Sequence, residues 1–503
     1  MHFRQFSAAA GLWHRVSACT ARASVLAVAI APAMMAQEIV RLTPAENFVL
    51  SELKAGKEAD LIALAPKDRI LRHEFVEDLI NGRYPDPEIK RRGVAIINAV
   101  FTKTLEVSSA SVPFRVWLNS CEFEQGVDFS YTRFAYDLSL GGSHFGKYPA
   151  GAPDNKGVQA FFAGMKVDGE ALFAGTVFYV PLDFTYVELG TDLLFDDIDY
   201  EANEAADFEE LTAKGPVFFR RDRFAGGLNL ADAGLFELFL ENPTSPVELD
   251  TEQAHIERGT TLKNVQLSSW KAGSLIANGL VDLNKVTSTG RVNLAHSHFQ
   301  NLQIEGFDEW LKFKPGMLNL EGFSFDTLDI GNTNVDPPAA RMLELINSES
   351  VPFSPQPYLE LEKYLRAHGN VQKADDVYVA MRQRQRERLS WINRPWDFLL
   401  DVMLGYGTET WRTVVCAIVI TIVGAFVFAP SRMEWTNREQ ASTTYNRVWY
   451  SLDEFAPVID LGEAKNWGAK QDHHWTRNYA RFQRIAGWIL LPLILGAITG
   501  IVK

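Results

Sequence analysis

The sequence predicts a mainly β protein: a right-handed parallel β-helix of degenerate, pentapeptide-like coils, with a helical N-terminal cap, a C-terminal helical hairpin and two transmembrane helices. Three observations predict it. Apolar residues recur at fixed offsets between residues 96 and 333, two long uncharged runs lie near the C-terminus, and charge divides unevenly along the chain. From residue 381 onward there are 15 Lys/Arg against 11 Asp/Glu, which leaves 34 against 52 before it, so an acidic body precedes a basic end. With 49 basic and 63 acidic residues overall, the chain lacks the cationic face that a general nucleic-acid binder needs to displace counterions.

The repeat is the strongest signal. With apolar positions numbered 0, 2, 7, 10 and 12, the strings LNLADAGLFELFL (from Leu228), VNLAHSHFQNLQI (from Val292) and LNLEGFSFDTLDI (from Leu318) align, the last two 26 residues apart. Two apolar residues two apart make one short inward-facing strand, and one five residues further fills the next side of the same coil. Stacked coils bury a continuous column. Leu294, Phe299, Leu302 and Ile304 are therefore expected to stack on Leu320, Phe325, Leu328 and Ile330. An antiparallel sandwich also alternates, but hairpin dipeptides such as Asn81-Gly82 and Asn278-Gly279 are rare.

The remaining segments follow from composition. Residues 1–36 read as a secretory signal: Arg4, Arg15 and Arg22 precede a short apolar stretch that ends in small residues at Ala33 and Ala36. Residues 37–95 read as a helical cap opened by Thr43-Pro-Ala-Glu46. Residues 334–357 are rich in Pro and Ser and read as a linker. Residues 358–410 read as a helical hairpin, broken at Gly369-Asn370, and an interfacial helix begun by Pro395-Trp396. The alternate arginines Arg382, Arg384, Arg386 and Arg388 spread around their helix, which suggests a solvated or headgroup-contacting surface.

Residues 411–503 read as a two-span membrane domain with a 430–484 loop. The uncharged runs Thr413–Ser431 and Ile485–Val502 are 19 and 18 residues long, enough to cross a hydrocarbon layer of about 30 Å at about 1.5 Å per residue. In the second, Gly487, Gly496 and Gly500 mark a face on which another helix backbone can approach closely, the basis for expecting a homo-oligomer. Tyr450, Ser451, Asp453, Pro457, Asp460, Gly462 and Glu463 are expected in a re-entrant or interfacial loop. A cleaved signal would leave the body in the periplasm and the 430–484 loop in the cytoplasm, although the arginines before the first span argue for the reverse.

The sequence presents no catalytic constellation. It has no GxGxxG after a strand, no phosphate-binding GxxxxGK[ST], no HExxH and no GxSxG. Of three cysteines, Cys19 lies in the leader and Cys416 in an apolar run, leaving Cys121 alone in the body without a disulfide partner. The acidic stretch Asp196 to Glu210 lacks the glycine and ligand spacing of a calcium loop and reads as solvated. No catalytic, cofactor or metal residue is assigned.

The LxLxxxxF units, PYLELEKYLRAHGN, GYGTETWR and WYSLDEFAPVIDLGE together resemble a family of bacterial membrane proteins in which a pentapeptide-repeat-like β-helix precedes two transmembrane helices. The resemblance implies inner-membrane architecture more than activity, and some such proteins are labelled membrane-associated oxidoreductases. The expected function is a membrane-anchored scaffold or binding module, contacting lipid, copies of itself and an unidentified protein. The alternative is a pore-loop channel gated by the β-helix. Its order of elements is present, but Pro457-Val-Ile-Asp-Leu461 stands where glycines would form a carbonyl filter.

Overall fold

Short apolar pairs, each too small to form an independent sheet, associate here only by stacking. The computed structural model describes residues 41–312, 316–331, 338–348, 353–409, 411–436, 444–456, 458 and 460–498; the expected signal lies outside them, as do Pro457 and Gly500. The body is a parallel β-solenoid of about eleven turns. Each early coil supplies four short strands, for example Val116–Asn119, Glu122–Phe123, Val127–Asp128 and Arg133–Phe134. Each pairs in parallel with its equivalent above and below, as Val116 does with Val94 and Leu138.

From Thr212 the strands lengthen. The nine-residue strand Thr212–Arg220 joins two sides of the coil that are separate strands earlier. The expected stacking of the last coils is observed, with Phe299 beside Phe325, Leu302 beside Leu328 and Ile304 beside Ile330. All six are buried. On another side Phe101, Phe123, Phe145 and Phe178 form a ladder of stacked rings with successive centroids 5.0, 5.0 and 4.8 Å apart.

Coil corners use left-handed backbone at side-chain-bearing residues. In one column Ser120, Asp197, Arg221, Asn242, Asn264 and Lys285 all have φ between 52° and 62°, with Gly142 and Gly175 at the equivalent coils. Each donates its N–H to a carbonyl of the next coil, as Asp197 does to Arg220 at 2.8 Å. The inter-coil bond offsets the conformational cost of φ above zero.

The N-terminal cap is made by helices α1 (Pro44–Lys54), α2 (His73–Ile80) and α3 (Pro87–Arg92), with strand Ala59–Asp60 pairing onto Ile96 and Ile97. Glu46 of α1 is fully buried and takes the Arg72 guanidinium in a bidentate pair, both bonds 2.7 Å. A short helix, α4 (Phe307–Trp310), follows the strand His298–Glu305.

Beyond the last coil lie α5 (Pro338–Ser348), α6 (Gln356–Ala367), α7 (Val371–Arg386), α8 (Arg394–Leu404), α9 (Trp411–Val427), α10 (Arg447–Phe455), α11 (Glu463–Asn466) and α12 (His474–Ile498). The stretch read as a linker contains α5, because Met342, Leu345 and Ile346 make a buried stripe at helical spacing. The solenoid meets these helices through Tyr364 of α6, whose hydroxyl donates to the Leu328 carbonyl at 3.0 Å and whose ring meets Phe325.

The two expected transmembrane helices are corrected. No helix among the described residues is long and apolar enough to cross a membrane. Helix α9 ends at 17 residues, about 25 Å. Helix α12 has 25 residues, but Arg477, Arg481 and Arg484 fall in its first half, and its apolar half is described only to Ile498.

Candidate functional site

The C-terminal helices concentrate the buried polar groups that core packing alone does not require. Two clusters result. The first joins α7 to α8. Asp397 and Asp401 lie one turn apart on α8 and are buried, while Trp396, Phe398, Leu399, Leu400 and Val402 are exposed. Arg386 pairs with Asp401 at 2.9 Å and Arg382 with Asp397 at 3.3 Å. Beyond α8, Gly405, with φ of 52°, turns the chain so that the Tyr406 hydroxyl donates to Asp397 at 2.6 Å. Burial and that bond raise the Tyr406 phenol above its ordinary value, so it remains a donor.

The arginine run therefore acts differently from the headgroup surface expected. Each guanidinium faces a different neighbour because the side chains spread around α7. Arg384 donates to the Asn347 carbonyl of α5 and to the Tyr358 hydroxyl of α6, and Arg388 lies 5.7 Å from the Phe353 ring centre. Helix α7 thus bridges the helices on the solenoid's last coil and those that follow.

The second cluster lies among α9, α10 and α12. Gly424 of α9 faces Ser451 of α10 and Gln483 of α12, where a Cβ would stand 2.2 and 2.5 Å from their side-chain oxygens. Ser451 donates to the Thr421 carbonyl at 2.7 Å, and Gln483 donates to the Ser451 carbonyl and hydroxyl oxygens, each at 2.8 Å. Nearby, Glu454 is buried and meets Arg484 at 2.8 Å, while the Tyr450 hydroxyl donates to it at 3.1 Å. Neither Gly424 nor Gln483 stands out in the sequence, where one is a lone glycine in an apolar run and the other a lone amide.

The residues expected in a re-entrant or interfacial loop divide between two settings. Tyr450, Ser451 and Asp453 belong to α10. The Asp453 carboxylate accepts from the N–H groups of Leu461 at 3.0 Å and Ala464 at 2.7 Å, tying the following loop to the helix. Asp460 pairs with Lys465, Gly462 has φ of 81° and Glu463 opens α11. Of the glycines assigned to packing, Gly487 meets α10 of its own chain, and a Cβ there would stand 1.7 Å from the Phe455 carbonyl oxygen. Gly496 lies near the end of α12.

In the solenoid, Asp196, Asp197 and Asp199 pair with Arg220, Arg221 and Arg223 one coil on, at 2.7, 2.6 and 3.1 Å. The first part of the acidic stretch is thus paired by the next coil. Cys121 is buried, which pushes its thiol up to about 12 and suppresses thiolate chemistry. Among the described residues no group of His, Cys, Asp and Glu is arranged to hold a metal ion. No family model, curated protein or solved structure matches this chain.

Proposed function

We propose that the chain is a membrane-anchored β-solenoid scaffold or binding module of a bacterial cell envelope, held by its C-terminal helices. One observation carries the reading: the polarity of these helices is inverted. On α9 the buried residues are Thr413, Ala417 and Gly424, while Val415, Ile418, Val419, Ile422 and Phe426 are exposed. On α12 Thr476, Gln483 and a single large apolar residue among those described, Leu490, are buried, and Ile485, Trp488, Ile489 and Leu495 are exposed. Small and polar groups inside with large apolar groups outside suit a lipid surround, where hydrogen bonds and close packing join helices.

The described part of α9 falls about 5 Å short of a bilayer's hydrocarbon thickness. The uncharged run continues to Ser431, and Trp411 and Trp488, both exposed, suit the membrane interface. In this proposal the exposed apolar faces of α9 and α12 hold the solenoid at the periplasmic side of an inner membrane, and self-association uses the end of α12 around Gly496.

Alkaline carbonate extraction of membranes containing the full chain tests it. The protein should stay with the lipid, and release into the supernatant would refute anchoring. A second variant pair, Ile418→Lys and Ile489→Lys, should shift the chain to the soluble fraction. A pore-loop reading draws on α10 lying between α9 and α12. Planar-bilayer currents altered by Asp460→Asn would establish it over the scaffold reading.

A further inference from the structure

At the opposite end of the solenoid from the apolar helices, the N-terminal cap meets the first coils around a cavity of about 330 Å³. Its lining includes Lys57, Arg91, Arg92 and Arg115 against one carboxylate, Glu58. The lining side chains carry a net +3, with Glu52 and Glu88 at the rim pairing three of the four cations, in a body whose residues 1–380 carry 34 Lys/Arg and 52 Asp/Glu. Concentrating cations against the prevailing charge raises the local attraction for an anion.

The cationic groups are weakly committed. Arg115 makes no ion pair among the described residues, and its guanidinium lies 5.1 Å from the Trp117 ring centre. Lys57 and Arg92 stand 3.6 Å from Glu52 and Glu88, beyond hydrogen-bond length, so only Arg91, 2.7 Å from Glu88, is closely paired. Trp117 also lines the cavity, its indole Nε1–H shut away from solvent. Gly56 keeps the floor open, since a Cβ there would lie 2.9 Å from Arg92 Nε and 3.1 Å from a Glu88 carboxylate oxygen.

We infer that this cavity binds a phosphate-bearing small molecule, with Arg92 and Arg115 as its main charge partners. Planar guanidinium groups suit phosphate oxygens through paired N–H bonds. The volume lies at the small end of known ligand sites, enough for one or two phosphoryl groups with a compact body. The inference is independent of the membrane reading, because the cavity is formed by the cap and the first coils.

Calorimetric titration of the full chain in neutral detergent with inorganic pyrophosphate tests it. Saturable binding at one site per chain is expected, weakening as salt rises. Arg115→Gln and Arg92→Gln should each raise Kd about fivefold to tenfold. Lys214→Gln, on another charged part of the surface, should leave it unchanged. No saturable heat, or a Kd unchanged in both arginine variants with unchanged circular dichroism, would overturn the site. Repeating the titration in phosphatidylcholine nanodiscs with and without phosphatidylglycerol separates the sources. Competition by the anionic lipid assigns the site to a headgroup, and its absence assigns it to a free phosphorylated ligand.

Discussion

Asp222 stands in a buried column whose equivalents in other coils are Ala99, Ile198 and the polar Cys121, Ser143 and Thr176. The small polar side chains of the last three can bond to neighbouring carbonyls, as Ser143 does to Leu118 at 2.9 Å and Thr176 to Leu140 at 3.2 Å. The Asp222 Oδ1 accepts from the Ile198 N–H at 2.7 Å, but Oδ2 has no partner. Burial pushes this carboxyl up from its ordinary 3.8 to about 8. Between those values the folded state keeps a proton that the unfolded chain has lost, so stability falls as pH rises from about 4 to about 8. At 1.36 kcal/mol per pH unit the loss has an upper bound of about 6 kcal/mol. Asp222→Asn should flatten this slope and stabilise the chain above pH 8, as read by urea unfolding across that range. The sequence shows an aspartate before an Arg-Phe pair; that it faces inward depends on coil register. Phe299 was legible at the same scale, because its place in the repeat fixes its direction. Phe299→Ala should cost about 3–5 kcal/mol in the same unfolding measurement.

Among the elements, α7 shows what helical periodicity conveys and what it leaves out. The alternate arginines could be placed around the helix from spacing alone. Their partners, Asp397 and Asp401, come from α8, beyond the turn of residues 387–393, whose angle the arginine spacing does not convey. A double-mutant cycle of Arg386→Ala with Asp401→Ala should give a coupling of about 0.5–3 kcal/mol. A value near zero would mean that α7 and α8 are held together by other contacts. Gly487 gives a parallel case. A glycine in an apolar helix signals a close backbone approach, but only tertiary structure identifies the Phe455 carbonyl. Gly487→Leu should displace α10 and expose the loop after Phe455 to limited proteolysis, with the wild type resistant.

Across the whole molecule, the solenoid was legible because its core is a one-dimensional pattern. Each coil repeats the same inward positions, and self-comparison recovers them. The left-handed corners were hidden, since residues as unlike as Asp197, Arg221 and Lys285 occupy one column and the backbone bond selects for none of them. The inverted polarity of α9 and α12 was hidden also. Hydropathy reports that a run is apolar, not which side faces outward. Truncation after Ala367, which removes α7 to α12, should leave a chain that no longer floats with liposomes, and flotation undiminished by that truncation would move the anchor elsewhere.

The parallel stacking of coils has a geometric consequence for reach. Neighbouring strands sit about 4.8 Å apart, so about eleven turns place the cap roughly 50 Å along the axis from the coil that α6 packs against. The solenoid is a spacer of fixed graduation. Because each coil touches only those above and below, deleting one whole coil should shorten it by one step without unravelling the rest. Its length can therefore change in evolution by discrete increments, setting how far a ligand held at the cap stands from whatever holds the other end.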